Sequence, residues 1–364
     1  MITKEECDTI RSLLEQAWRP MFLFDDDPDG LCSFCLLYRY ANKGKGVVVK
    51  NSPVVTEEIY AKKVESYGPD LLVILDKPKV EQEFLSSISI PVIWIDHHEP
   101  QNPAESHVHY FNPLNHTDVS TPTTYQCWRV VSGKGLQSES NDVWFAAVGC
   151  IGDWFFPEII AEQFKDQFPG LLPEDITTAP SALFRKDSKV GMLSKVLYFL
   201  LKGRLKECEK HFKILTRVND PREILEQSSA QGKYLFKWYK KINEEYERLL
   251  EMALSMIDDS PFLTAIIPQN KFSFSSELSN EVFYHHPEKV IILGRSSSGY
   301  TKGSIRTSFS ISLPDAVSHA LMGVDGYGGG HPQACGFRVN DADFDLFLTR
   351  LKENITAQIT ALAS

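Results

Sequence analysis

The first half of the chain alternates short apolar runs with amphipathic stretches. Residues 21–24, 47–49, 71–75 and 91–95 are apolar at successive positions. Runs of this length, apolar on both faces, read as strands of a parallel sheet covered on both sides. Between them, 32–40 and 57–67 carry helical patterning, and 123–131 and 142–150 read as two further helices. Residues 4–18 predict an amphipathic helix with Ile10, Leu13, Leu14 and Trp18 on one face. From 157 to 258 strand signals nearly vanish. There 193–201, 205–215 and 224–257 are helical by period and by Lys/Glu content. Strand patterns return at 263–267, 290–293, 304–312 and 337–339, and a helix follows over 344–361. The expected class is α/β: an N-terminal parallel-sheet domain (1–160), a helical connector (161–260) and a smaller C-terminal α/β domain (261–364). The active site is expected in the cleft between the two α/β domains.

A chain of 364 residues with 43% hydrophobic and 24% charged side chains is ordinary globular material, which excludes wholesale disorder. It contains no run long enough for a spanning helix and no apolar signal core near the N-terminus, so no membrane association is expected. Its seven cysteines read as thiols in a reducing compartment, and a cytoplasmic location follows. The sequons at Asn115 and Asn354 then carry no meaning. The net charge of −10 disfavours nucleic acid until its distribution is considered. Acid is concentrated in 1–160, whereas 161–250 is net positive. Lys233, Lys237, Lys240 and Lys241 lie there among Phe236, Trp238, Tyr239 and Tyr246. That segment is either a solvated helix face with its aromatics turned inward or a basic ridge beside a polyanion.

The acid has a pattern. One apolar strand runs into Asp25-Asp26-Asp27-Pro28-Asp29-Gly30, a second ends at Asp76 and a third at Asp96-His97-His98. Asp153 follows the apolar stretch 143–151. In an open parallel sheet the C-terminal strand ends share one edge, where ligands bind. Carboxylates gathered there would repel and raise each other's pKa unless cations hold them. Aspartate oxygens with imidazole suit Mn²⁺ or Mg²⁺ better than a thiolate-rich zinc site. Cys32 and Cys35, just after the acidic loop, are expected to face the core.

These residues resemble the DHH family of phosphoesterases over nearly the whole chain. The run from Asp25 to Gly30 is similar to the family's first motif in the form found in RecJ-type single-strand exonucleases. Asp76 matches the second motif, Asp96-His97-His98 the triplet that names the family, and Gly152-Asp153-Trp154 the fourth motif. Gly328-Gly329-Gly330-His331-Pro332-Gln333-Ala334-Cys335-Gly336-Phe337 resembles the signature of the DHH-associated domain. Many relatives carry histidine two residues before the first-motif aspartate or in its place; here those positions are Leu23 and Asp25. Lys77-Pro78 replaces a glycine common after the second motif, and a basic side chain there would touch either a phosphate or solvent.

The resemblance implies a phosphodiesterase with two ions, Mn²⁺ or Mg²⁺, about 3.5–4 Å apart and bridged by Asp76. Asp27, Asp29, Asp76, His97 and Asp153, with Asp25 as a sixth, would be the ligands. Asp96 would orient His97, and His98 would face the scissile phosphate as donor or acid. In the second domain Gly328, Gly329, Gly330 and His331 would approach an anion. Arg306 either pairs with phosphate or is an ordinary strand arginine. Trp94 and Trp154 are expected in the core, and Pro122-Thr123-Thr124 as a helix cap. The loop near Asn112-Pro113, with His107, His109 and His116 nearby, is a candidate support for the site. The leading function is RecJ-like exonuclease activity on single-stranded DNA or RNA, with replication or repair proteins as partners. The alternatives are a nanoRNase or cyclic-dinucleotide phosphodiesterase, a pyrophosphatase or polyphosphatase, and a non-catalytic replication scaffold that shares the fold.

Overall fold

In the computed structural model, which describes residues 1–50, 54–133, 142–269 and 272–363, the apolar runs become strands. They are β1 (Pro20–Asp25), β2 (Lys45–Val49), β3 (Val54–Val55), β4 (Leu71–Leu75), β5 (Lys79–Val80), β6 (Val92–Ile95) and β7 (Val108–Phe111). Five form a parallel sheet in the order β2-β1-β4-β6-β7, while β3 and β5 pair separately. Every residue of β4 and β6 is buried, as strands covered on both faces require. The sheet's chain order reverses between β1 and β4, the switch point where open sheets bind ligands. Register then fixes the chemistry. Phe24 lies opposite Leu75, and Leu75 opposite Ile95. The next residue on each strand, Asp25, Asp76 and Asp96, therefore falls at one level, on strands about 4.8 Å apart.

Helices cover the sheet. Pro28–Ala41 begins with Asp27 as its N-cap, accepting from Gly30 N–H at 2.8 Å. Phe34 from this helix stacks on Phe24 at 4.5 Å, and Phe212 from Leu205–Leu215 meets both rings edge-on. The very apolar Val143–Gly152 is buried from Val143 through Ile151. Cys32 and Cys35 have C-x-x-C spacing, but both are fully buried and burial pushes both thiols up, so they are core residues.

Two compact units emerge, Met1–Lys240 and Lys241–Ser364, divided inside the helix Ala230–Leu254. The helical stretch expected as a connector is thus shared between them. The second unit has β8 (Phe262–Ile267), β9 (Val290–Ser297), β10 (Tyr300–Arg306), β11 (Gly326–His331) and β12 (Ala334–Asn340), ordered β11-β12-β10-β9-β8. All its pairings are antiparallel except β8 with β9. Phe337, Val339, Phe347 and Leu351 centre its core.

Several expectations shift. The first helix stops at Gln16, leaving Trp18 88% exposed rather than on the apolar face. The helix expected over 224–257 is a short turn, Arg222–Leu225, followed by Ala230–Leu254. The strand expected over 304–312 ends at Arg306, because the chain there turns toward the helix Leu313–Ala320. The triple glycine lies in edge strand β11. A Cβ at Gly328 would come within 2.7 Å of Gly336 O and 2.8 Å of Val317 Cγ1, so this strand packs where only glycine fits.

Candidate metal centre

All six expected ligands converge at the carboxyl edge of the first sheet. Three sets have donor atoms mutually within 4.8 Å: Asp25, Asp27 and Asp76; Asp76, His97 and His98; Asp29, His97 and Asp153. Asp76 belongs to two sets, and so does His97. Asp76 takes φ 60°, a left-handed conformation unusual for aspartate, and is fully enclosed. His97 Nε2 lies 3.4 Å from Asp76 Oδ1, 3.7 Å from Asp153 Oδ2 and 3.8 Å from Asp29 Oδ2.

Asp29 does a second job. Its oxygens accept from Thr123 N–H at 2.9 Å and Thr124 N–H at 2.7 Å, capping the helix Thr123–Ser132. The cap expected from Pro122-Thr123-Thr124 is therefore supplied from across the chain. Thr123 Oγ1 donates instead to Asp76 Oδ1, at 3.2 Å. Both carboxylates gain from the positive end of that helix. Gly30 is fixed by the same crowding: a Cβ there would come 2.7 Å from both the N and the O of Asp25.

Within the DHH triplet the partner of Asp96 is not the expected one. Asp96 orients His98, with Oδ1 2.8 Å from His98 Nδ1, and does not touch His97 in this way. His97 Nδ1 lies 3.0 Å from Ser120 Oγ, and that hydroxyl donates to His97 O at 2.7 Å. Ser120 is invisible in the sequence, since nothing at that position marks it. Asn112 holds the loop by donating to His98 O at 2.9 Å. This is the support expected of its neighbourhood, whereas His116 pairs with Glu6. Lys77 does not face solvent. It is fully buried, with Nζ 2.9 Å from Asp25 Oδ1. Trp94 is core, but Trp154 is 40% exposed, which corrects its expected burial.

The electrostatics call for cations. Burial, then Asp76 and other carboxylates, push Asp27 and Asp29 well above the usual range. Burial carries Asp153 up to about 6 and, against the pull of Lys77, Asp25 up to about 6. Burial would also raise Asp76, but His97 holds it down at about 2. Burial would lower His97, yet Asp76, Asp29 and Asp153 push it up to about 10. The few cationic side chains here cannot balance this many carboxyl groups, and an all-oxygen and imidazole donor set fits a hard divalent ion.

The remaining expected residues lie in the second unit. A concavity of about 520 Å³ is lined by Gly328 and Gly329 together with Arg295, Lys302, Arg338 and Tyr327. Lys302 and Arg338 escape the sequence reading, because each sits on an ordinary strand. Arg306 is engaged with the helix Ser275–His285: Nε donates to Asn280 Oδ1 at 2.7 Å and Nη2 to Ser276 Oγ at 3.3 Å. Gly330 and His331 close β11 opposite Cys335 and Ala334.

An open parallel sheet carrying an aspartate–histidine centre at its switch point defines a metal-centred α/β protein. The sequence narrows this: residues 22–137 match the DHH family, N-terminal domain, and 273–357 the DHHA1 domain, and the chain belongs to the DHH family. Among solved structures it is similar to RecJ in complex with Mn²⁺ from Thermus thermophilus, at 18% identity and TM-score 0.69. That match covers 98% of this chain and 56% of that one, so the chain spans little more than half its length. It is also similar to exonuclease RecJ bound to manganese, at 18% identity and TM-score 0.60, covering 97% and 94%. CDC45 from Entamoeba histolytica matches at 10% identity and TM-score 0.55, covering 97% and 98%. At these identities the likeness is one of fold. No curated protein sequence matches the chain closely enough to add to it. Among the described residues no helix is long and apolar enough to cross a membrane.

Proposed function

We propose that the chain is a metal-dependent phosphodiesterase that degrades single-stranded nucleic acid from an end, as the RecJ exonucleases are named for doing. The observation that carries this reading is the complete set of acids and histidines gathered at the switch point. A scaffold with no chemistry to perform has no use for so much buried, self-repelling charge. Asp25, Asp27 and Asp76 would hold one divalent ion, and Asp29, His97 and Asp153, with Asp76 shared, a second. Ions bound there supply Lewis acidity, neutralising phosphoryl oxygens and acidifying an attacking water. The chain's own residues do the rest. Asp96 fixes His98 through Nδ1 and raises its pKa against the opposing effect of burial. That pairing favours the protonated imidazole, whose Nε2–H would face the leaving oxygen. In the second unit the groove of Arg295, Lys302 and Arg338 offers charge-assisted contacts to phosphates.

The test is digestion of end-labelled DNA and RNA, from dinucleotides to long oligomers, with Mn²⁺ or EDTA. Ladder-like shortening of long strands with Mn²⁺, lost in Asp76→Ala, is expected. Turnover confined to the shortest substrates would replace the exonuclease by a short-oligonucleotide phosphodiesterase. No Mn²⁺-dependent cleavage at all would leave the scaffold.

A further inference from the structure

Trp154 departs from the habits of its residue type twice. Its side chain is 40% exposed, and its backbone sits at φ 61°, a region that bulky residues avoid. The turn that holds it is well bonded. Trp154 N–H donates to Ile151 O at 3.0 Å, and Phe155 N–H to Cys150 O at 2.9 Å. This turn ends the helix Val143–Gly152 and sets Asp153 at its C-cap, with Oδ2 3.7 Å from His97 Nε2. One peptide further on, the same turn delivers an indole to the surface. The ring leans on Phe184 at 6.0 Å, while the neighbouring Phe155 packs inward, edge-on to Tyr125 at 5.4 Å. For the backbone alone, glycine or asparagine would serve this position with less strain. A tryptophan that occupies such a position and remains partly bare has a face to offer.

We infer that Trp154 is a nucleobase platform: a base of the strand whose phosphate lies at the aspartate–histidine centre stacks on its indole. This rests on the phosphodiesterase reading and narrows it to substrates that carry bases. Trp154 directly follows a metal-donor carboxylate in the chain, and a nucleotide's base is one sugar from its phosphate. Stacking on an aromatic face tolerates any base, as an end-degrading nuclease requires.

The test is equilibrium binding, with Ca²⁺ in place of the catalytic ion, of two fluorescently labelled oligomers. One is fully base-bearing, and the other has abasic sites at its terminal nucleotides, so both carry the same phosphates. Wild type, Trp154→Ala and Trp154→Phe are compared by anisotropy. Trp154→Ala should weaken the base-bearing oligomer about tenfold, the size of one lost stacking contact. It should leave the abasic one within about twofold, and Trp154→Phe should restore most of the loss. Equal weakening of both oligomers, or of neither, would overturn the platform. Binding that shows this base dependence without Mn²⁺-dependent hydrolysis would sink the phosphodiesterase reading and leave the platform standing.

Discussion

Lys77 shows how one residue changes the account of the centre. It follows the second-motif aspartate and reads, in the sequence, as a side chain for phosphate or solvent. The fold buries it against Asp25 at 2.9 Å, so the chain carries its own monovalent cation at the edge of the Asp25, Asp27 and Asp76 set. An ion entering that set competes with an ammonium. Lys77→Met should cost the metal-stripped protein about 3 kcal/mol, the usual penalty for orphaning a buried charge. Mn²⁺ should then stabilise the variant more than it stabilises wild type, measured by urea unfolding with Mn²⁺ and with EDTA. Equal Mn²⁺ increments would remove Asp25 from the ligand set. A second outcome follows from Asp25 and Asp153, both raised to about 6 by burial. Their folded pKa exceeds the unfolded value, so the folded state binds more protons. Without metal, they therefore cost stability as pH rises from about 4 to about 6. A divalent ion replaces those protons. The gain in melting temperature from Mn²⁺ should shrink as pH falls from about 6 toward about 5, as these two carboxyl groups take up protons. A gain that stays constant across that range would separate the ion from these carboxylates.

Elements explain why some of this is legible. Strands β4 and β6 announce themselves because burial on both faces leaves no polar position, and their acids stand out against apolar runs. Edge strand β7 gives no such signal, since only Phe111 of its four residues is buried and His109 interrupts the pattern. Strand β11 gives no strand signal either, because glycine has no side chain to alternate. The six candidate ligands are legible as residues. The partners of the triplet are not: Ser120 with His97, and Asp29 with Thr123 and Thr124, are meetings across the fold that no spacing encodes. The junction of β1 with the helix Pro28–Ala41 carries its own test. Gly30→Ala adds a methyl 2.7 Å from the Asp25 backbone. Alanine's better helix propensity returns about 1 kcal/mol, but pressing against main chain has no cheap relief. The variant should lose about 1–3 kcal/mol in urea unfolding and bind Mn²⁺ more weakly, because Asp25 and Asp29 flank the displaced turn. A neutral variant with unchanged Mn²⁺ affinity would mean that the strand end yields freely.

At the scale of the whole molecule the question is how an acidic protein would hold a polyanion. The net charge is −10, yet Lys233, Lys237, Lys240 and Lys241 are all exposed along the helix Ala230–Leu254, while Leu235, Tyr239, Ile242 and Tyr246 are buried. Tyr239 and Tyr246 turn inward as expected of a solvated face, Phe236 and Trp238 are half-buried, and the four lysines share an exposed face of the helix. The same geometry serves both readings, so only a measurement on long substrate divides them. Divalent ions neutralise the acidic centre locally and leave this face as a candidate track for phosphates distant from the cut. Each phosphate neutralised on a single strand adds about 0.7 to the slope of log affinity against log salt. A long oligomer should therefore bind more tightly than a dinucleotide and weaken more steeply with salt. Replacing the four lysines by glutamine should flatten that slope by up to about 3 and leave dinucleotide cleavage unchanged. Such a result separates holding from cutting, because none of these lysines belongs to the donor sets of the metal centre. An unaltered slope would return the helix face to plain solvation and shift the binding of long strands to the Arg295, Lys302 and Arg338 groove.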